Sequence, residues 1–132
     1  MAFKRITPVL FVPEVEPCVA FWTERLGFQK VVEVPEGSKL GFVILRKDAA
    51  EIMYQSYTSM EKDVPAIASA ARKGPTFLYV EVENIDAIKG AIKGAEVYLS
   101  ERTTFYGARE IGIKDPAGHH ITFAQFAAQP EN

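Results

Sequence analysis

One order of segments, strand–helix–strand–strand–strand, runs through this chain twice, and such a repeat constrains the fold more than any single motif. In the first half, residues 6–12 are β-branched and aromatic, with Pro8 marking an edge or a strand start. Pro13 to Pro17 break that strand, and a helix is expected over 17–26. There Val19, Trp22 and Leu26 recur at spacings of three and four, Phe21 widens the stripe, and Gly27 supplies the stop. Strands are expected over 29–34, 40–47 and 51–57, separated by turn-rich residues 35–38 and 47–50. A connecting helix over 59–73 ends at Gly74-Pro75, and the pattern restarts. Residues 76–82 read as a strand and 85–93 as a helix capped by Asn84 and ended by Gly94. Strands over 96–102, 109–114 and 119–126 follow, the last two joined by the turn Asp115-Pro116-Ala117-Gly118. Some residues echo between the halves: Lys47-Asp48 with Lys114-Asp115, and Phe11-Val12-Pro13-Glu14 with Glu81-Val82-Glu83-Asn84. The expected fold is α+β: two tandem βαβββ modules forming a curved mixed sheet with helices on the convex side. One domain is expected over 1–132, with modules at about 4–58 and 75–127.

Composition removes several classes of function. The 132 residues are 48% hydrophobic and 24% charged, enough apolar material for a packed core, with disorder expected only after Phe126. The formal net charge is −2 with both signs interspersed, so no basic stripe exists to displace counterions from nucleic acid. A single cysteine, Cys18, excludes an internal disulfide and a cysteine zinc knuckle, and its place on a helix suits a small apolar residue. No stretch approaches the roughly 20 apolar residues of a membrane span. Met1-Ala2-Phe3-Lys4-Arg5 leads into a strand with no apolar signal region, so a cytoplasmic location is expected.

Strand alternation then separates the faces. In the fifth strand Leu78, Val80 and Val82 point one way, and Phe77, Tyr79 and Glu81 the other. In the first strand Ile6, Leu10 and Val12 take the helix-facing part, and Thr7, Val9 and Phe11 the opposite one. The aliphatic faces should carry the helices. The mixed faces line a concavity, where a ligand would sit.

Two motifs carry a family resemblance. The run from Val12 to Phe28, with Phe21-Trp22 and Leu26-Gly27-Phe28 as its sharpest parts, resembles the opening signature of the vicinal-oxygen-chelate superfamily. That group includes glyoxalase I, extradiol dioxygenases, fosfomycin-resistance enzymes and bleomycin-resistance proteins. The second motif is Tyr106-Gly107-Ala108-Arg109-Glu110 followed by Asp115-Pro116-Ala117-Gly118-His119. The resemblance implies the fold from about residue 6 to 126 and says little of the substrate. Metal-using members place His or Glu at one position on the first, fourth, fifth and eighth strands. Carried over, these positions are Thr7, Glu51, Phe77 and Thr122, and only Glu51 is a good ligand. A first-row metal needs about three nitrogen, oxygen or sulfur donors, so no metal and no cofactor are expected. His119 and His120 are neighbours on a strand, point to opposite faces and cannot share an ion.

With Thr7, Phe77 and Thr122 in place of ligands, the concavity is apolar with a few hydroxyls, which suits a planar organic molecule. The resemblance is nearest to the bleomycin-resistance branch, which binds drugs at a dimer interface without chemistry. The expected lining is Thr7, Phe11, Glu51, Met53, Phe77, Tyr79, Phe105 and Thr122. Glu51 and Glu81 would meet a cationic group, while Tyr106 and Arg109 would orient an anionic or carbonyl-bearing one. A plainer reading pairs Arg109 with Glu110 or Asp115, and Trp22 is assigned to structure. The leading expectation is a metal-free small-molecule binder acting by sequestration or resistance, as a homodimer whose pairing completes the clefts. The alternative is a lyase, isomerase or dioxygenase with a displaced metal, or with Glu51 as general base provided burial raises its pKa. A third reading is a dimeric interaction module whose pocket is filled by its own side chains.

Overall fold

A computed structural model of the chain describes residues 1–127, and the chain divides into two compact units at Gly74 and Pro75. The expected disorder after Phe126 concerns, beyond Ala127, residues 128–132, which lie outside the described ones.

The first unit holds β1 (Val9–Val12), α1 (Glu16–Ala20), β2 (Gln29–Glu36), β3 (Lys39–Lys47) and β4 (Ala50–Ser56) in a sheet of order β1-β4-β3-β2. β1 runs parallel to β4, with Val9 opposite Met53, and the other pairs are antiparallel. Alternation buries Leu10, Val12, Val43, Leu45, Ile52 and Tyr54, and Cys18, Phe21, Trp22 and Leu26 join them from the helical segment. Ile6 does not follow Leu10 and Val12 inward, because pairing begins only at Val9 and Ile6 is exposed. Pro8 has no N–H to donate, although its carbonyl accepts from Met53 N at 3.0 Å.

The helix expected over 17–26 changes character halfway: α1 gives way to a π turn over Phe21–Arg25. Bonding from i to i+5 widens the turn and narrows the angle between successive side chains, so adjacent Phe21 and Trp22 both enter the core. Trp22 Nε1 donates to Tyr54 Oη at 2.8 Å, joining helix to sheet inside the core. Gly27, at φ +74°, takes the left-handed conformation that ends the segment. The connecting helix is also broken, into α2 (Tyr57–Asp63), a 3-10 turn (Pro65–Ile67) and α3 (Ala68–Ala71). Pro65 is the cause: it forces Val64 out of helical geometry, to φ −135° and ψ 75°.

The second unit repeats the arrangement with β5 (Phe77–Glu81), α4 (Ile85–Ala91), β6 (Val97–Thr103), β7 (Ala108–Lys114) and β8 (His120–Phe126), in the order β5-β8-β7-β6. β5 runs parallel to β8, with Tyr79 opposite Thr122. Asn84 caps α4 by accepting from Ala87 N at 3.1 Å, as the sequence suggested, and Gln125 Oε1 accepts from Ile85 N at 2.8 Å. Ile85, Ile92, Ile113, Ile121 and Phe123 form the core. The β7–β8 turn closes around Asp115, whose Oδ1 accepts from Ala117 N and His119 N at 2.9 and 2.8 Å. His119 is buried, and its Nδ1 accepts from Thr76 N at 2.8 Å. The two βαβββ modules are thus present as two four-stranded mixed sheets. Among the described residues no helix is long and apolar enough to cross a membrane.

The Trp22–Tyr54 bond generates a stability prediction. Tyr54→Phe leaves the indole N–H buried without its acceptor, a loss of about 1–3 kcal/mol. Urea unfolding followed by Trp22 fluorescence should show a lower midpoint at unchanged slope.

Candidate functional site

The face of the second sheet that carries chemistry follows from register. Cross-strand partners share a side, so Phe77 and Tyr79 of β5 lie with His120, Thr122, Ala124 and Phe126 of β8, and with Glu110 and Gly112 of β7. Ile121, Phe123 and Ile113 fill the opposite, helix-bearing side.

Glu110 organises one end of this face. It is 1% exposed, and its Oε2 accepts from Tyr106 Oη at 2.6 Å and from Tyr79 Oη. Its Oε1 accepts from Arg102 Nε at 3.0 Å. Phe126 packs beside both phenols, with ring centroids 6.4 Å from Tyr79 and 6.0 Å from Tyr106. Burial opposes the charge on Glu110, but hydrogen bonds from Tyr106, Tyr79 and Arg102 outweigh it and hold the carboxyl below its usual range. The same contact, with burial as the larger cause, pushes the Tyr79 phenol well above its ordinary value. Tyr106 is presented by the β6–β7 turn, which closes through Gly107 N to Thr104 O at 3.1 Å, with Gly107 at φ +83°.

The other end of the face is aromatic. His120 stacks on Phe77 at 4.6 Å and meets Tyr98 edge-on at 4.7 Å, and Tyr98 Oη is hydrogen-bonded to Thr122 Oγ1. Tyr98 lies over Gly112, where a Cβ would stand 2.6 Å from its ring carbons. Only glycine leaves room for that ring. The outer aromatics stay open to solvent: Phe77 is 69% and Tyr79 52% exposed.

The corresponding face of the first sheet holds Thr7, Phe11, Glu51 and Met53. Glu51 is enclosed, accepting from Thr7 Oγ1 at 2.6 Å, Arg46 Nε at 2.7 Å and Arg5 at 3.1 Å. Those bonds, Thr7 first and Arg46 second, outweigh burial and lower its pKa. A general-base role called for a raised pKa, and Thr7 together with the two arginines shifts it the other way.

The family model of the glyoxalase/bleomycin resistance protein/dioxygenase superfamily matches residues 3–123. The chain belongs to that superfamily. Similar solved structures include TioX from Micromonospora sp. ML1, at TM-score 0.78 and 15% identity over 95% of this chain and 100% of that one. A lactoylglutathione lyase from Agrobacterium tumefaciens matches at TM-score 0.74 and 15% identity, over 94% and 95% of the two chains. The bleomycin-binding protein of Streptomyces verticillus, complexed with copper(II)-bleomycin, matches at TM-score 0.66 and 22% identity, over 98% and 99%. At these identities the likeness speaks for the fold alone. No curated protein matches the sequence.

The metal positions of the superfamily can now be placed by register. Val9 faces Met53 as Tyr79 faces Thr122, so the fourth-strand counterpart of Thr122 is Met53, and Glu51 corresponds to His120. These positions hold Thr7 and Met53 on the first sheet, a hydroxyl and a thioether, and Phe77 and Thr122 on the second, a phenyl ring and a hydroxyl. These donors do not fit a divalent metal. Among the described residues no three His, Cys, Asp or Glu side chains come together to hold one.

Of the residues singled out from sequence, the second sheet brings together Phe77, Tyr79, Tyr106 and Thr122, with Phe105 fully exposed beside Tyr106 at 4.9 Å. Arg109 does not join them. It projects from the other face of β7 and pairs with Asp86 at 3.0 Å and Glu101 at 3.1 Å, not with Glu110 or Asp115. Sequence reasoning missed Glu110, Tyr98, Arg102, His120 and Phe126 as members of this face. Period-two alternation, applied to β7 and β8 as it was to β5, carries a signal for three of them.

A pH prediction follows from two of the lowered carboxyls, Glu51 and Glu110. Each contributes stability that is complete above the unfolded value of 4.5 and is lost as pH falls through the lower folded value. Urea midpoints should therefore drop with pH on the acid side of 4.5, and Glu110→Gln should flatten part of that decline.

Proposed function

We propose that this protein binds a planar aromatic small molecule on the open face of β5 and β8, without a metal and without turning the ligand over. One observation carries the reading. Phe77 and Tyr79 stand side by side on a strand, more than half exposed, on a face backed by His120, Tyr98 and Phe126. Large rings left in water on a rigid sheet offer stacking area at little entropic cost. The weak donors on each sheet, Thr7 and Met53 on the first and Phe77 and Thr122 on the second, support the metal-free part. The ion-paired, acidified Glu51 gives no support to base catalysis, and Thr7, Phe11 and Met53 are assigned as a secondary lining on the first sheet. A role in sequestration or resistance fits such a binder, as does the copper(II)-bleomycin complex of the Streptomyces relative. We place it in the cytoplasm, as one domain of two modules and as a homodimer; exposed Phe3 and Ile6 before β1 support the pairing.

Titration with planar aromatic compounds should give saturable binding with no product. Phe77→Ala should weaken it by roughly 0.5–1.5 kcal/mol, or about two- to twelvefold, while leaving the urea midpoint unchanged. Treatment with EDTA should change neither binding nor fold. A stoichiometric metal that EDTA removes from purified protein overturns the reading.

A further inference from the structure

We infer that the phenols of Tyr79 and Tyr106, fixed as hydrogen-bond acceptors by Glu110, select planar ligands that present N–H donors. The inference rests on the binding reading above and deepens it by naming the ligand's polar chemistry.

The argument is a count of protons. A phenol has one proton to give and two lone pairs to receive with. An ionised carboxylate can only accept. Tyr79 and Tyr106 both donate to Oε2 of Glu110, so each has spent its one proton inside the protein. Arg102 occupies Oε1 with Nε, and with its second nitrogen at 3.0 Å, so the carboxylate cannot turn away to release either phenol. At 1% exposure Glu110 itself is out of a ligand's reach. It acts as a positioning residue, and the lone pairs that the two phenol oxygens keep can only accept. Both phenols belong to half-exposed residues that flank Phe126, Tyr79 on β5 and Tyr106 on the β6–β7 turn. A ring lying on Phe77 and Tyr79 would therefore be favoured by amino or ring N–H groups at its rim. A rim of carbonyl or carboxylate oxygens would meet lone pair against lone pair.

Glu110→Gln gives the inference a distinctive consequence. The side-chain amide has one oxygen and one NH2 group, and Arg102 donates only, so the amide oxygen must face the arginine. The NH2 then faces the phenols, which accept from it and turn their own protons outward. The substitution therefore reverses the polarity of the rim while leaving the stacking rings in place.

Two dyes test this by fluorescence titration of the full chain. Proflavine is a planar cation with two primary amino groups; acridine orange has the same ring and charge with both amino groups dimethylated. Proflavine should bind roughly five- to tenfold more tightly, the difference expected from one or two net hydrogen bonds. Glu110→Gln should erase that preference, the lost carboxylate charge weakening both cationic dyes alike. Tyr79→Phe and Tyr106→Phe, which keep the ring and remove one acceptor each, should each weaken proflavine and spare acridine orange. These two variants decide the matter if Glu110→Gln does not fold. Equal affinity for the dyes, or a preference untouched by all three substitutions, overturns the donor selection and leaves the binding reading standing. Failure of both dyes to bind overturns the two together.

Discussion

Each module supplies four strands but only one helical segment between the first and second of them, and a sheet has two faces. A short helix can cover one face. In the first unit α1 and its π turn lie over Leu10, Val43, Leu45 and Tyr54, and in the second α4 lies over Ile113, Ile121 and Phe123. The uncovered faces must then be built from side chains that tolerate water, pair among themselves or meet something from outside. Nearly everything functional about the chain follows from how the two sheets answer that demand.

They answer it differently, with the same kind of group at the centre. On the first sheet Glu51 is closed in by Thr7, Arg5 and Arg46, so its charge is neutralised by cations on both sides. On the second sheet Glu110 is met by two phenols and a single arginine. Phenols bring ring area as well as protons. The second arrangement thus leaves an aromatic surface where the first leaves guanidinium groups, and it is the one with large rings facing solvent. Both carboxylates are weakened as bases, because the donors bound to them hold their pKa below the ordinary carboxylate range.

Much of this was legible in the residues alone. The order of elements along the chain and the turns at Gly37-Ser38 and Asp115–Gly118 are local features, and local patterns carry them, although β2 runs on through Pro35 and Glu36, which were expected in the turn. Phe77 and Tyr79 could be assigned to the open face because alternation within one strand needs no partner. What failed depended on partners. Ile6 has the composition of a strand residue but no ladder to join, and the regular stripe of Val19, Trp22 and Leu26 does not reveal that two adjacent rings force a wider turn. Glu110 was passed over because its importance lies in Tyr79 and Tyr106, which reach it from another strand and from a turn. Arg46 and Glu51, by contrast, flank the turn at residues 47–50 and face one another across it, so the pairing that acidifies Glu51 had a visible signal.

The absence of a side chain at Gly112 has a consequence for how such a protein diversifies. Tyr98 lies on bare backbone there, tied at its tip to Thr122, and it comes from β6, an edge strand with one neighbour. Trading that ring for alanine or serine would open a hollow the size of a phenol at the cost of one hydrogen bond to Thr122, with the strand pairing of the sheet left in place. A lineage carrying this glycine can resize its recognition surface one mutation at a time, and edge strands are where such trials cost the fold least.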